Sequence, residues 1–305
     1  MFTEFNSLSD LMIAFKEPQT AIDHFTSIRW KNGQFCPYCG HGKIYNISQK
    51  NRFKCASPDC LNTFSILVGT IFENTKLPLR VWFGAMWLIA NHKKGIASTT
   101  LATDLNITQK SAWFVLHRLR YAAQLKSFNA PLKGECEIDE TYIGGKSINK
   151  HGRRSGKSGG HRGKAPVVGV VERDGLVIAK AIPVASQFVL QEFVRETVAP
   201  DAELLATDAH PAYATLTGYP QHQVVNHNKG EWRKGDAHTN SIESLWALLK
   251  RQINGTHHWI SPKHLNRYVQ EMTWRLNRRK LTSSARVNDM LAGVEGRLTY
   301  KTLIA

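Results

Sequence analysis

Three acidic residues stand in separate segments whose local patterns hold each carboxylate in a defined place. Asp139 lies in an alternating stretch that predicts a strand, and Asp208 follows a short apolar run where a strand gives way to a turn. Glu243 lies in a helical pattern with Asn240 and Lys250 on its polar side. Three carboxylates from separated segments suit two Mg²⁺ or Mn²⁺ ions about 3.5–4 Å apart, an arrangement that catalyses displacement at phosphorus. Taken singly, each acid is more often a turn former or a helix cap.

The surroundings of the third acid are more specific than the spacing of the three. The string HTNSIESLWALLKR, residues 238–251, resembles the signature of the DDE transposases of bacterial insertion sequences, in the ISXO-like group. The resemblance extends over roughly residues 15–282. It implies a zinc ribbon ahead of a ribonuclease-H-like catalytic core with a mixed sheet. Asp139 would lie on the first strand, Asp208 just after the fourth strand, and Glu243 on a later helix.

The resemblance also implies a reaction and its participants. The three acids would ligate two Mg²⁺ ions, and Lys250 would neutralise phosphate charge beside them. His238 and Asn240 would lie near the active site, with their roles left open. The substrate would be double-stranded DNA, cleaved at the element ends to free a 3′-hydroxyl that attacks target DNA. Because two ends must be joined, a homo-oligomer of at least two chains is implied.

Two other classes of protein fit parts of the same pattern. A metal-dependent nuclease of the same fold would use the three acids only to hydrolyse DNA. A DNA-binding regulator would use the N-terminal half alone and would not need the acids. Terminal inverted repeats flanking the coding region would favour the transposase.

The cysteines predict a structural metal site. Cys36 and Cys39 form a C-x2-C pair, and Cys55 and Cys60 follow at ribbon spacing, so four thiolates can enclose Zn²⁺ tetrahedrally. A disulfide pair or a redox CxxC is the alternative, and the lack of a secretory signal argues against it. Cys136, on the opposite side of its strand from Asp139, is predicted to be a buried core residue.

Residues 96–125 have the pattern of a helix-turn-helix that follows a long buried helix over residues 77–95. The second of its helices would present Lys110, Arg118 and Arg120 to phosphates or base edges. A plain helical hairpin with a solvated basic face is the alternative.

Residues 144–164 are rich in glycine and basic residues and contain no acid. Such a segment cannot bury a core, and a run of this kind is often only a solvated loop. Because it leaves the strand that bears Asp139, we expect it to bind the phosphate backbone beside the metal site. The side chains expected to do so are Lys150, Arg153, Arg154 and Lys157.

Composition indicates a globular protein with a polyanionic partner. Forty Lys and Arg residues against 24 Asp and Glu residues give a net charge of +16, which favours nucleic acid. A membrane surface is the competing partner, but the apolar stretch at residues 81–90 is half the length of a span of about 20 residues. The N-terminus lacks a basic region and a cleavage motif. We therefore expect a soluble cytoplasmic protein that associates with the nucleoid.

These patterns predict a multidomain α+β protein. Its parts, in chain order, are an N-terminal helical segment (1–30), a four-cysteine zinc ribbon (31–68), a helix-turn-helix-like region (69–130), a ribonuclease-H-like α/β catalytic domain (131–282) and a C-terminal tail (283–305).

Overall fold

The computed structural model describes residues 4–47, 51–124, 130–144 and 163–304. The chain divides into two compact units, residues 1–125 with 280–305, and residues 126–279. The predicted basic segment lies almost wholly outside the described residues, so the expected positions of Lys150, Arg153, Arg154 and Lys157 are not described. Within the described ranges, no helix is long and apolar enough to cross a membrane.

The first unit combines a small sheet with a helical core. The sheet is antiparallel in the order β1-β2-β3, with the strands β1 (Ile44–Asn46), β2 (Phe53–Cys55) and β3 (Thr63–Phe64). The helices are α1 (Leu8–Ala14), α2 (Pro18–Arg29), α3 (Leu79–Asn91), α4 (Ser98–Asp104), α5 (Gln109–Gln124), α10 (Ser283–Ala292) and α11 (Tyr300–Ile304).

Aromatic side chains form much of the helical core of this unit. Phe15 packs edge-on against Phe83 of α3, and Phe25 of α2 packs edge-on against Phe72. The long buried helix predicted over residues 77–95 is confirmed as α3. The unit also contains the segment predicted as a C-terminal tail, because α10 packs against α3 and α2.

The second unit is built on a mixed five-stranded sheet in the order β6-β5-β4-β7-β8. Its strands are β4 (Glu135–Ile143), β5 (Ala165–Glu172), β6 (Val177–Ala181), β7 (Leu204–Asp208) and β8 (His222–Val225). The pairs β4–β5 and β5–β6 are antiparallel, whereas β4–β7 and β7–β8 are parallel. The mixed sheet is thus confirmed, and its assignment to the ribonuclease-H-like fold stays a prediction.

Helices cover both faces of this sheet. One face packs against α6 (Gln187–Thr197) and the short α7 (Pro211–Ala214), and Cys136 is buried there as predicted. The other face packs against α8 (Asn240–Gln252) and α9 (Pro262–Asn277). Because β5 is buried on both faces, its sequence is a continuous apolar run rather than an alternating one. The sheet therefore places the residues of β4 alternately toward α6 and toward α8.

Candidate functional site

Asp139 and Asp208 lie on neighbouring parallel strands. In the β4–β7 pair Ile138 is opposite Thr207, so the next residue on each strand is one of the two acids. Burial first, and then the negative charge of Asp208, raise the pKa of Asp139 to about 7. The two carboxylates are therefore close enough to repel each other, and a bound cation would relieve that repulsion.

Helix α8 is joined to Asp139 by a tryptophan. Trp246 is buried, and its indole Nε1 donates a hydrogen bond to Asp139 Oδ2 at 3.0 Å. Gly169, which pairs with Asp139 across β4 and β5, makes room for this ring. A Cβ at Gly169 would lie 2.7 Å from the indole, so the close approach requires glycine.

Glu243 lies one turn before Trp246 on α8, on an adjoining part of the helix surface. Its side chain is about half exposed, and Oε1 accepts a hydrogen bond from Thr239 Oγ1 at 3.0 Å. The Nε2 atom of His227 lies 3.4 Å from the same oxygen. Glu243 therefore lies in the first turn of α8, with its carboxylate held by two neighbours.

Oxygen donors of this kind fit Mg²⁺ or Mn²⁺. The three carboxylates do not form a finished ligand set. Among the described residues, the four cysteines are the only group of three or more potential metal ligands whose ligand atoms all lie within 4.8 Å of one another. Asp139 and Asp208 are fixed on strands, whereas Glu243 has an exposed side chain.

Glu137 fixes the start of α8 against β4. Its buried carboxylate accepts hydrogen bonds from the backbone N–H groups of Ser241 at 2.7 Å and Ile242 at 3.2 Å, and from Ser241 Oγ at 2.9 Å. Arg173 Nε donates to the same carboxylate at 2.8 Å, and His238 Nδ1 lies 3.1 Å from it. A carboxylate at a helix N-terminus is favourable because the free N–H groups and the helix dipole both attract negative charge.

Glu140 makes a corresponding attachment on the other side of the sheet. Burial is the main reason that the pKa of its carboxyl is raised. Tyr213 donates its hydroxyl to Glu140 Oε2 at 3.0 Å, and His210 Nε2 lies 3.5 Å from Oε1. The backbone N–H of His210 in turn donates to Asp208 Oδ1 at 3.0 Å. Glu140 therefore fixes the turn that follows Asp208.

The sequence analysis assigned no role to Glu137 or Glu140. The available signal was the run of acids on β4, since four acids in a strand that must be half-buried need partners. The identity of those partners could not be read from it.

The other residues predicted at this site lie at different points along α8. His238 contacts Glu137 just before the helix, and Asn240 is exposed at its first residue. Lys250 is also exposed, but it lies seven residues after Glu243, or about 10 Å along the axis.

The predicted metal-binding cysteines lie together in the first unit. The Sγ atoms of Cys36, Cys39, Cys55 and Cys60 all lie within 4.8 Å of one another. The distances are 3.8 Å between Cys36 and Cys60 and 3.6 Å between Cys39 and Cys55. Four sulfurs bound tetrahedrally to zinc are about 3.8 Å apart, whereas a disulfide requires about 2 Å. The cluster therefore fits a structural zinc ion and excludes the disulfide pairing in this state.

Two models of known protein families match the regions of the chain that contain the two sites. Residues 131–277 match the family described as the ISXO2-like transposase domain. Residues 18–63 match the transposase zinc-ribbon domain. The chain belongs to the ISXO2-like transposase family. The family resemblance carried by residues 238–251 is thereby confirmed.

This transposase also has a relative in a mobile element. A protein described as "Uncharacterized protein in transposable element ISH50", from Halobacterium salinarum, is 28% identical over 281 residues, which is 84% of this chain and 90% of that protein. Two solved structures are more weakly similar to this chain. The Mos1 strand transfer complex is 11% identical with a TM-score of 0.22, and a pre-cleavage Mos1 transpososome is 9% identical with a TM-score of 0.18. Each match covers 70% of this chain and 81% of the other, and TM-scores this low do not establish a shared fold.

The helices α4 and α5 of the transposase lie where the helix-turn-helix was predicted, joined through Asn106, which has a positive φ of 50°. Lys110 is exposed at the start of α5. Arg118 and Arg120 were expected on the DNA-binding surface, and the structure corrects this expectation. Arg118 is 8% exposed and donates to the backbone carbonyl of Ile71, and Arg120 is 1% exposed. A buried guanidinium that donates to the protein backbone is not available to phosphates.

Proposed function

We propose that this transposase cleaves DNA at the ends of its element and joins the freed 3′-hydroxyl to target DNA in a reaction that requires Mg²⁺. The observation that carries the proposal is the placement of Asp139 and Asp208 on neighbouring strands, with Glu243 on the helix that packs against them. The β4–β7 pairing makes Asp139 and Asp208 neighbours, and the Trp246–Asp139 hydrogen bond fixes the helix that bears Glu243 beside them.

In this proposal Asp139, Asp208 and Glu243 hold the metal ions. Two bound Mg²⁺ ions supply stabilisation of the attacking and leaving oxygens of an in-line displacement. The chain's own groups prepare that site. Trp246 covers Asp139 from the apolar side, and the attachments made by Glu137 and Glu140 hold α8 and the Asp208 turn in register.

Contacts to DNA come from other parts of the chain in this proposal. The net charge of +16 favours phosphate binding, and Lys110, Lys150, Arg153, Arg154 and Lys157 are the proposed contacts. Lys250 is exposed about two turns after Glu243 on α8, and we propose that it neutralises phosphate charge beside the site. Because two DNA ends must be joined, we also propose that the active species is at least a dimer. Each of its chains would carry a catalytic core of the ribonuclease-H-like fold.

The test uses a labelled duplex ending in the terminal inverted repeat of the element that encodes this chain, together with a supercoiled plasmid as target. With Mg²⁺ the expected products are a cleaved end and a plasmid carrying the label, and Ca²⁺ should support binding without chemistry. Products that are cleaved but never joined to the plasmid would replace the transposase proposal with the nuclease. Joining at full rate in the presence of excess chelator would refute the proposed metal dependence.

A further inference from the structure

An exposed tryptophan lies close to Glu243 in the segment between β8 and α8. Trp232 is 64% exposed, and its ring contacts the imidazole of His227 with the centroids 4.9 Å apart. The Nε2 atom of this imidazole lies 2.9 Å from Thr239 Oγ1 and 3.4 Å from Glu243 Oε1. A single imidazole ring therefore separates the exposed indole from the proposed catalytic carboxylate.

The segment that carries Trp232 is shaped by its own hydrogen bonds. The backbone N–H of Glu231 donates to the carbonyl of Asn226 at 3.1 Å, and the Glu231 side chain accepts from the N–H of Asn226 at 3.2 Å. Lys234 and Ala237 exchange two backbone hydrogen bonds of 2.9 Å each. These bonds close a turn on either side of Trp232. The indole is thus presented outward by a structured segment.

The surface around the indole is cationic. Lys229, Arg233 and Lys234 are exposed. Of the two acids of the segment, Glu231 accepts from the backbone of Asn226, whereas Asp236 pairs with Arg233 at 3.2 Å. Lys229 and Lys234 therefore supply the excess positive charge of this surface. An exposed aromatic face with cations beside it suits an unpaired nucleotide, whose base stacks on the ring while its phosphates meet the charges.

We propose that Trp232 is a stacking site for an unpaired nucleobase of the DNA strand that reacts at Glu243. The proposal rests on the proposed function, since that function brings a phosphate to Glu243. Bases inside a duplex hide their faces against their neighbours, so stacking on Trp232 requires that the DNA be unpaired there. The binding partner is any base, because every base offers a flat face and the indole reads no base edge. With bases spaced about 3.4 Å apart along a strand, the stacked base lies a few nucleotides at most from the reacting phosphate.

The test separates stacking from charge by using two probes that carry the same phosphates. One is an oligothymidylate of about 12 nucleotides, and the other is an abasic strand of the same length. Trp232→Ala should weaken binding of the oligothymidylate by roughly 5- to 150-fold, the range that corresponds to one stacked base, and leave binding of the abasic strand unchanged. Trp232→Phe should restore most of the loss. The slope of affinity against salt should stay that of the parent, because no cation is removed.

Trp259 provides the matched control. It is 68% exposed and follows the opposite end of α8 from Glu243, so Trp259→Ala removes an equally exposed indole away from the carboxylates. It should leave the ratio of the two affinities unchanged. Equal binding of the oligothymidylate by the parent and Trp232→Ala would overturn the inference, as would an equal loss on both probes. A change of oligomeric state in Trp232→Ala without a change in that ratio would also overturn it, and would make Trp232 a contact to a second copy.

These binding measurements do not depend on catalysis. If the parent joins DNA but shows no base-dependent contribution from Trp232, only the stacking site fails. If Trp232 contributes as expected but the parent never joins DNA, the proposed function fails while the nucleotide-binding surface stands.

Discussion

Three acids on strand β4 have three different environments. Asp139 faces α8, where Trp246 donates to it, whereas Glu140 faces α7 and accepts from Tyr213. Glu137 faces α8 as well, but its carboxylate is fully buried and accepts from the helix backbone. The alternation of a strand separates Glu140 from the other two acids, and full burial beneath the start of α8 distinguishes Glu137 from Asp139.

The Trp246–Asp139 hydrogen bond gives the prediction at this scale. Trp246→Phe keeps an aromatic ring in the core but removes the only donor atom of the indole. A hydrogen bond of this kind is worth about 1.5 kcal/mol, so we expect the rate of strand transfer to fall roughly tenfold while the protein stays folded.

Trp82→Phe is the matched control, because Trp82 is equally buried and donates to Thr75 Oγ1 at 3.0 Å in the first unit. It should cost similar stability and leave the joining rate per folded molecule unchanged. Equal rate losses in the two variants would show that the Trp246 bond has no special part in the site.

Much of the site could be predicted at the level of residues. Asp139, Asp208 and Glu243 could be selected because each lies in a distinct local pattern, and the burial of Trp246 follows from helical spacing. The hydrogen bond from Trp246 to Asp139 could not be predicted, since it joins residues 107 positions apart. The requirement for glycine at position 169 could not be predicted either, because it also depends on a contact between distant parts of the chain. A glycine in a strand is a known signal of close approach, but the ring that approaches it is set by the fold.

At the scale of elements, attachments to β4 decide where α8 and the Asp208 turn lie. The mixed sheet of the catalytic region was predicted from the family resemblance, and β5, β6 and α6 follow the strand of Asp139 in chain order. Helix α5 was also predicted, but the burial of the Arg118 and Arg120 side chains was not. A basic residue on a helix suggests a solvated face, and only the packing of that helix shows when its guanidinium donates inward.

The attachment of α8 by Glu137 can be tested by comparison with Glu135, a more exposed acid that also pairs with Arg173. Glu137→Gln removes the charge from a fully buried side chain that binds Arg173 and the start of α8, so we expect a loss of about 3 kcal/mol in the free energy of unfolding. Glu135 also pairs with Arg173, but its side chain is 40% exposed. Glu135→Gln should therefore cost about 1 kcal/mol or less.

Urea denaturation measures both costs, and amide exchange at Ser241 and Ile242 reports the helix start directly. Faster exchange at these two amides should appear in Glu137→Gln alone. Equal free-energy losses in the two variants would contradict the assignment of Glu137 as the attachment of α8.

The zinc ribbon is the second element whose stability can be tested. Its strands have two or three residues each and cover a small apolar cluster that includes Cys36, Cys55 and Phe64. So short a sheet depends on its metal, because folding and ligand binding are coupled. We expect one zinc per chain by elemental analysis and its loss in Cys39→Ser, with loss of amide protection confined to the ribbon. Cys136→Ala should keep the zinc, and a zinc-free Cys39→Ser protein with a fully protected ribbon would contradict the assignment.

At the scale of the whole molecule, net charge is the dominant feature. A charge of +16 predicts tight and salt-dependent DNA binding, but it does not identify the side chains that contact DNA. Composition could therefore predict the class of partner but not the contacting side chains. Arg118 and Arg120 were selected from the helix-turn-helix pattern, and both are buried.

The basic segment can be tested with a control protein that has the same total charge as the variant. Changing Lys150, Arg153, Arg154 and Lys157 together to glutamine lowers the net charge from +16 to +12. If these residues contact phosphates, the slope of log affinity against log salt should become shallower by about 0.9 for each lost contact. A control protein loses the same charge at exposed lysines of the first unit, Lys16, Lys31, Lys93 and Lys94. A slope that is equal in the two proteins would mean that the segment acts only through total charge.

The most direct test of the account is the replacement Glu243→Gln, measured by strand transfer of a labelled element end into plasmid DNA with Mg²⁺ and by gel shift on the same end. Glutamine keeps the size and helical position of Glu243 and removes one negative charge from a site proposed to hold two dications. Joining should fall by roughly 1,000-fold or more, whereas binding of the end should be unchanged or slightly tighter. The control Glu192→Gln, an exposed acid of α6 on the other face of the sheet, should keep the joining rate. A Glu243→Gln protein that joins DNA at the parent rate would contradict the assignment of the three acids as the catalytic site.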